Sequence, residues 1–130
     1  MKLKKVLLVD DSSTALLLEQ MILKKRADFE LISARDGQEA IDKATAEMPD
    51  LIVMDIVMPR LSGMEALKQL RLNDSTRHIP IILVTSRGEP ESIETGYASG
   101  CNDYVTKPIN GTELLSKIQD LIAGQEEAVR

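Results

Sequence analysis

Apolar residues along this chain follow two patterns that alternate: short, nearly continuous runs, and stripes at helical spacing. Lys4–Val9 reads as a first strand, closed by Asp10-Asp11. Ser12-Ser13 then offer cap oxygens, and a helix is expected over residues 13–25 with Ala15, Leu18 and Ile22 on its inner face. Phe29–Ala34 predicts a second strand, shorter and more exposed. After the turn signal Asp36-Gly37, a helix should turn Ala40, Ile41 and Ala44 inward, and Pro49-Asp50 should break it. Leu51-Ile52-Val53-Met54 is apolar throughout and ends in Asp55, the pattern of a strand buried on both faces. Residues 59–63 form a loop, and Met64, Leu67 and Leu70 mark a third helix.

The second half repeats the alternation. A polar connection over 73–78 leads to the apolar run 79–86. The helix expected over 89–99 is weakly specified. Pro90 opens it, Gly96 interrupts it at about 1 kcal/mol relative to alanine, and only Ile93 and Tyr97 suggest an inner face. Residues 102–106 make a fifth strand, ended by Lys107-Pro108. Leu114, Ile118, Leu121 and Ile122 stripe a last helix, which Ala123-Gly124 should stop, leaving 125–130 as a polar tail and 1–124 as one domain. Five strand–helix alternations argue for a single α/β domain, a doubly wound parallel sheet with helices on both faces.

Such sheets bind ligands beyond the carboxyl ends of their strands. Asp10, Asp11, Asp55, Thr85 and Lys107 all fall at those ends, so the fold should gather them on one edge. Three have a plainer reading alone, Asp11 as a helix cap, Thr85 as a strand-end hydroxyl and Lys107 as a surface ammonium, whereas Asp55 is more telling even by itself. Together they describe a chemistry. Crowded carboxylates repel one another and invite a hard divalent cation, and Mg2+ typically takes one or two carboxylates beside a phosphate. An ammonium and a hydroxyl are what a phosphoryl group needs for charge neutralisation and a hydrogen bond. Aspartate is itself a nucleophile that can form an acyl phosphate. With neither a phosphate-cradling lysine loop nor a glycine-rich dinucleotide turn, the chain reads as a phosphoryl acceptor rather than a nucleotide enzyme.

Composition removes other classes. With 16 basic and 21 acidic residues the net charge is −5, and the basic clusters Lys2/Lys4/Lys5 and Lys24-Lys25-Arg26 have no aromatic interleaving, so direct nucleic-acid binding is not expected. No apolar run reaches the roughly 20 residues of a membrane span. The basic-then-apolar start superficially resembles a secretion signal, but Asp10-Asp11 cut it short and no small-residue cleavage site follows. A lone cysteine, Cys101, suits a reducing cytoplasm and reads as a small core residue. His78, the only histidine, reads as a solvated loop residue.

Asp10-Asp11, Met54-Asp55-Ile56-Val57-Met58-Pro59, Val84-Thr85-Ser86 and Lys107-Pro108 after Tyr104 come in order at strand ends, with 44, 30 and 22 residues from Asp11 to Asp55 to Thr85 to Lys107. In these motifs the chain resembles the receiver domain of two-component response regulators, from Val6 to about Ile122. The resemblance implies a flavodoxin-like (βα)5 fold with strand order 2-1-3-4-5, a signalling switch and not a conventional enzyme. It implies that Asp55 takes a phosphoryl group from the phosphohistidine of a histidine kinase or phosphotransfer protein. Asp11, Asp55 and the Val57 backbone carbonyl would bind Mg2+, with Asp10 acting mainly through metal-bound water. Lys107 would pair with the phosphoryl oxygens, and Thr85 would donate its hydroxyl to one of them. Tyr104 matches the family's switch aromatic, turning inward as Thr85 moves and altering the surface of the fourth helix, fifth strand and last helix. The Lys107–Pro108 bond is expected to be cis.

Departures are small: Ser86 stands where alanine is commoner, and Leu61-Ser62-Gly63 replaces a commoner Asp-Gly ending. Val57 and Arg87 match positions that tune dephosphorylation in the family. Two alternatives accompany this expectation: a receiver-fold module that works without phosphorylation, and a receiver cut from a longer response regulator or hybrid kinase. An aspartate-nucleophile phosphatase is disfavoured, because Val57 stands where that family needs a second aspartate. Cognate kinase, downstream target and phosphorylation-dependent dimerisation are left open by the sequence.

Overall fold

The computed structural model describes residues 3–26, 28–86 and 90–129 of the 130-residue chain. In chain order the elements are β1 (Lys4–Val9), α1 (Ser13–Leu23), β2 (Phe29–Ala34), α2 (Gly37–Glu47), β3 (Leu51–Asp55), α3 (Gly63–Leu72), β4 (Ile81–Thr85), α4 (Pro90–Ser99), β5 (Asp103–Thr106) and α5 (Gly111–Val129). The strands form one parallel sheet of order β2-β1-β3-β4-β5. The doubly wound order expected above is the one observed.

Strand residues alternate between two cores because successive side chains point to opposite faces. Leu7, Ile52, Met54, Ile81 and Leu83 pack with Ala40 and Ala44 of α2 and with Leu67 and Leu70 of α3. Val6, Leu8, Leu51, Val53, Ile82 and Val84 pack with Leu16 and Leu23 of α1 and with Leu114, Ile118 and Ile122 of α5. The central strands β3 and β4 are buried at every residue. The edge strand β2 matches β1 in length rather than being shorter, and only Ala34 in it is fully buried. Helix starts are capped by side chains that satisfy otherwise orphaned N–H groups: Ser12, Asp36 and Ser62 accept from Ala15, Glu39 and Glu65. Cys101 is buried and His78 exposed, as expected.

Three further expectations are corrected. The buried face of α1 is Leu16, Glu19 and Leu23, not Ala15, Leu18 and Ile22; Leu18 is 55% exposed, and Ala15 and Ile22 are half-buried. In α4, Tyr97 lies at the surface and Ile93 is half-buried, and the buried position among those described is Gly96. A Cβ there would stand 2.8 Å from Leu83 Cδ1, so the glycine permits close approach of helix to strand. Helix α5 does not stop at Gly124 but continues to Val129. A Cβ at Gly124 would meet nothing within 4 Å among the described residues; the glycine weakens the helix without ending it, and Gln125, Glu126, Glu127 and Ala128 are good helix formers.

Candidate functional site

The strand ends at the carboxyl edge of the sheet position the site. The Asp10 N–H donates to the Ala34 carbonyl at 3.1 Å, and its Oδ1 accepts from the Ser12 N–H at 2.9 Å. Asp10 is thus fixed by backbone on both sides, with Oδ2 left to face the pocket. The Arg35 guanidinium donates to the Asp11 carbonyl at 2.8 Å, tying the same turn to the end of β2. Asp55 closes β3. The next N–H, of Ile56, reaches the Val84 carbonyl at 3.2 Å, and the Ile56 carbonyl accepts from Gly63 at 2.8 Å. A Cβ at Gly63 would lie 2.0 Å from the Asp55 carbonyl oxygen, so this close approach of α3 to the strand end demands glycine.

Lys107 joins the two buried acids. Its Nζ lies 3.3 Å from Asp10 Oδ2 and 3.2 Å from Asp55 Oδ2. Its own N–H donates to the Thr85 carbonyl at 2.8 Å, and the Lys107–Pro108 peptide is cis, as expected. Carboxylate oxygens of Asp10, Asp11 and Asp55 all lie within 4.8 Å of one another, with Asp11 exposed and the other two buried. Burial and then the Asp10 charge push the Asp55 carboxyl above its ordinary range, against the pull of Lys107. For Lys107, burial works against the charge, but Asp55 and Asp10 outweigh it and hold the ammonium above its usual value. An acid raised by burial and by a neighbouring carboxylate is one whose ionised form a divalent cation would favour, and the all-oxygen donor set suits a hard ion such as Mg2+.

Thr85 ends β4, 1% exposed, and its Oγ1 has no hydrogen-bond partner among the described residues. A buried hydroxyl without an acceptor costs free energy unless an acceptor arrives. Tyr104 lies on the same face of the sheet, since β4 and β5 align Leu83 with Tyr104 and Thr85 with Thr106. The structure therefore brings Asp10, Asp11, Asp55, Thr85 and Lys107 to one edge. Val57 follows with its side chain 67% exposed. Arg87 lies outside the described residues.

One residue near the site was not singled out from sequence. Glu19 on α1 is 1% exposed, and neither carboxylate oxygen has a partner among the described residues. Burial, then the Asp10 charge, pushes its pKa up to about 8, partly offset by Lys107. The signal was present: Leu16, Glu19 and Leu23 share helical spacing, and a glutamate inside such a stripe marks an inward acid.

Residues 6–119 match the family model described as the response regulator receiver domain. The chain belongs to that family. Among curated relatives, this receiver domain is 38% identical over 125 residues to the alkaline phosphatase synthesis transcriptional regulatory protein PhoP of Bacillus subtilis, covering 96% of the chain but 51% of PhoP. It thus spans about half of that relative's length. It is 36% identical to PilH of Pseudomonas aeruginosa and 37% identical to the polar-differentiation response regulator DivK of Brucella anthropi. Those matches cover 92% of the chain in both cases and 98% and 96% of the relatives. Among solved structures, the chemotaxis response regulator CheY4 of Vibrio cholerae superposes with a TM-score of 0.84 at 33% identity, covering 92% of this chain and 99% of that one. A response regulator from Chloroflexus aurantiacus gives 0.89 at 29% identity, covering 94% and 99%. Receiver domains are signalling switches rather than conventional enzymes, and they interact with histidine kinases or phosphotransfer proteins. Among the described residues, no helix is long and apolar enough to cross a membrane.

Proposed function

We propose that this receiver domain is a phosphorylation-driven switch in the cytoplasm, with Asp55 as phosphoryl acceptor and a histidine kinase or phosphotransfer protein as donor. The observation that carries the reading is the orphaned Thr85 hydroxyl, buried at the edge where Lys107 bridges Asp10 and Asp55. The Thr85 hydroxyl lacks an acceptor among the described residues, and a phosphoryl group on Asp55 would supply one while giving Lys107 a more highly charged partner.

In the reaction an Asp55 carboxylate oxygen attacks phosphorus. The P–N bond to the donor imidazole breaks, a P–O bond forms, and the imidazole leaves with the electron pair and takes up a proton. Asp10, Asp11, Asp55 and the Val57 carbonyl would hold Mg2+, Asp10 acting mainly through metal-bound water. The ion would neutralise charge on the transferring oxygens. Lys107 exchanges its carboxylate partners for the phosphoryl group, and Thr85 turns its hydroxyl to a phosphoryl oxygen. The group adds about −1.5 to −2 charge at the edge. Movement of Thr85 frees Tyr104 to turn inward and remodels the surface made by α4, β5 and α5, the two-state element biased by the local charge event. Output is then a change in protein–protein contact there. Next to Lys107, a groove of about 470 Å3 between α1 and the Pro108-Ile109 turn is lined by Ala15, Leu18 and Ile22, giving a donor protein an apolar foothold.

The test is a Mg2+ titration with and without beryllofluoride, a phosphoryl mimic, followed by NMR at the backbone amides and Tyr104. Shifts that need both additions and spread from Asp55 through Thr85 to Tyr104 support the switch. Mg2+ binding with no further response would point to a module that works without phosphorylation.

A further inference from the structure

The face of β5 carries a cluster that the phosphoryl chemistry does not use. Lys117 of α5 sets its Nζ 5.0 Å from the centroid of the Tyr104 ring, within the range of a cation–π contact. The same ammonium lies 3.1 Å from Asp103 Oδ1 and 3.8 Å from Glu113 Oε2, and it donates to the Tyr104 carbonyl. Asp103 Oδ1 is the hub: it also accepts from the Tyr104 N–H at 2.8 Å and from the Tyr97 hydroxyl at 3.4 Å. Tyr104 also meets Tyr97 edge-on, ring centroids 6.0 Å apart at 86°. Tyr104 is therefore gripped by a cation from α5 and an aromatic edge from α4 while the Thr85 hydroxyl on the same sheet face stays unpartnered.

We propose that Lys117 is a positioning residue of the switch, a latch whose ammonium holds the Tyr104 ring in its resting place until Thr85 moves. The proposal rests on the reading of Thr85 and Tyr104 given above. Side chain and backbone are held by one group. Lys117 is anchored by Asp103 and Glu113, so its place over the ring does not depend on the ring itself. An inward turn of Tyr104 must break the cation–π contact, whereas the Asp103 ion pair can persist. The latch thus opposes activation and leaves the α5–β5 packing intact. A cation–π contact at a partly exposed site corresponds to roughly a two- to fivefold bias in such an equilibrium.

The experiment compares wild type, K117Q and K117R by NMR, reading the Thr85 amide because it lies away from the substituted side chain. Each protein is titrated with beryllofluoride in excess Mg2+. K117Q should start with its Thr85 amide displaced toward the beryllofluoride-saturated position, and should reach half-response at about two- to fivefold lower beryllofluoride. K117R, which keeps a cation above the ring, should restore the wild-type start and midpoint. A tie that only stabilised the fold would lower the melting temperature of K117Q without moving the Thr85 start point. If wild type responds and K117Q matches it in start point and midpoint, the latch is refuted and the phosphoryl-acceptor reading stands. If wild type itself shows no response, both fall together.

Discussion

Glu19 makes a prediction that depends first on its burial and then on the charges of the site. Its carboxyl is buried on the inner side of α1; burial and then the Asp10 charge, with a smaller push from Asp55 and a pull from Lys107, move its pKa from the ordinary 4.5 to about 8. Because the folded state holds the proton more tightly than the unfolded state, the group's full contribution is present below pH 4.5. It is lost as pH rises toward 8. At about 1.36 kcal/mol per pKa unit, the loss across that window is roughly 3–5 kcal/mol, a large share of the roughly 5–15 kcal/mol that holds a small domain together. Replacing Glu19 with glutamine keeps the shape and removes the titration. In urea unfolding with a chelator present, wild type and E19Q should have similar stability near pH 5. By pH 8.5 wild type should fall behind by several kcal/mol. Adding Mg2+ should narrow the gap, since a divalent charge near Asp10 and Asp55 favours the ionised carboxylate. Parallel stability curves, within about 1 kcal/mol from pH 5 to 8.5, would show that water or a counter-charge compensates Glu19 and would refute the reasoning.

Other consequences are more local. Lys107→Ala should leave Mg2+ binding but blunt the Thr85 and Tyr104 response to beryllofluoride; a full response on NMR would remove Lys107 from the phosphoryl site. Gly63→Ala places a methyl 2.0 Å from the Asp55 carbonyl oxygen, so thermal or urea unfolding should show a loss of about 1–3 kcal/mol, the usual cost of overpacking. Gly124→Ala should do the reverse. It sits in an exposed helical turn with open space around it, and should add up to about 1 kcal/mol by urea unfolding; no gain would mean the helix frays before that point.

How much of this was legible in the sequence varied with the kind of signal. The strands were plain because β3 and β4 are short Ile- and Val-rich apolar runs ending in one polar residue, the pattern of a doubly buried parallel strand. The site was plain for a related reason: once strand ends are known, a parallel sheet brings them to one edge, so Asp10, Asp55, Thr85 and Lys107 needed no side-chain geometry to be gathered. The α1 face was not legible. Leu16, Leu17, Leu18, Met21, Ile22 and Leu23 cover nearly every direction around the helix, and apolar spacing cannot choose among them. The choice fell to packing against β1 and α5, which turned Leu16 and Leu23 in and took Glu19 with them. Gly96 was misread for the opposite reason. A glycine in a helix reads as weakness, whereas here it serves contact, and only the distance to Leu83 reveals it. The Lys117–Tyr104 contact joins α5 to β5 across 13 residues, beyond the reach of any local pattern.

The central claim is that Asp55 is the phosphoryl acceptor. Its most direct test is intact-protein mass spectrometry after incubation with phosphoramidate and Mg2+, comparing wild type with Asp55→Asn. Wild type should gain one acid-stable, alkali-labile phosphoryl group that maps to the peptide bearing Asp55. It should lose that group when Mg2+ is chelated beforehand, and Asp55→Asn should gain none while remaining folded. Equal labelling of the folded Asp55→Asn protein, or no labelling of wild type under any Mg2+ concentration, would contradict it.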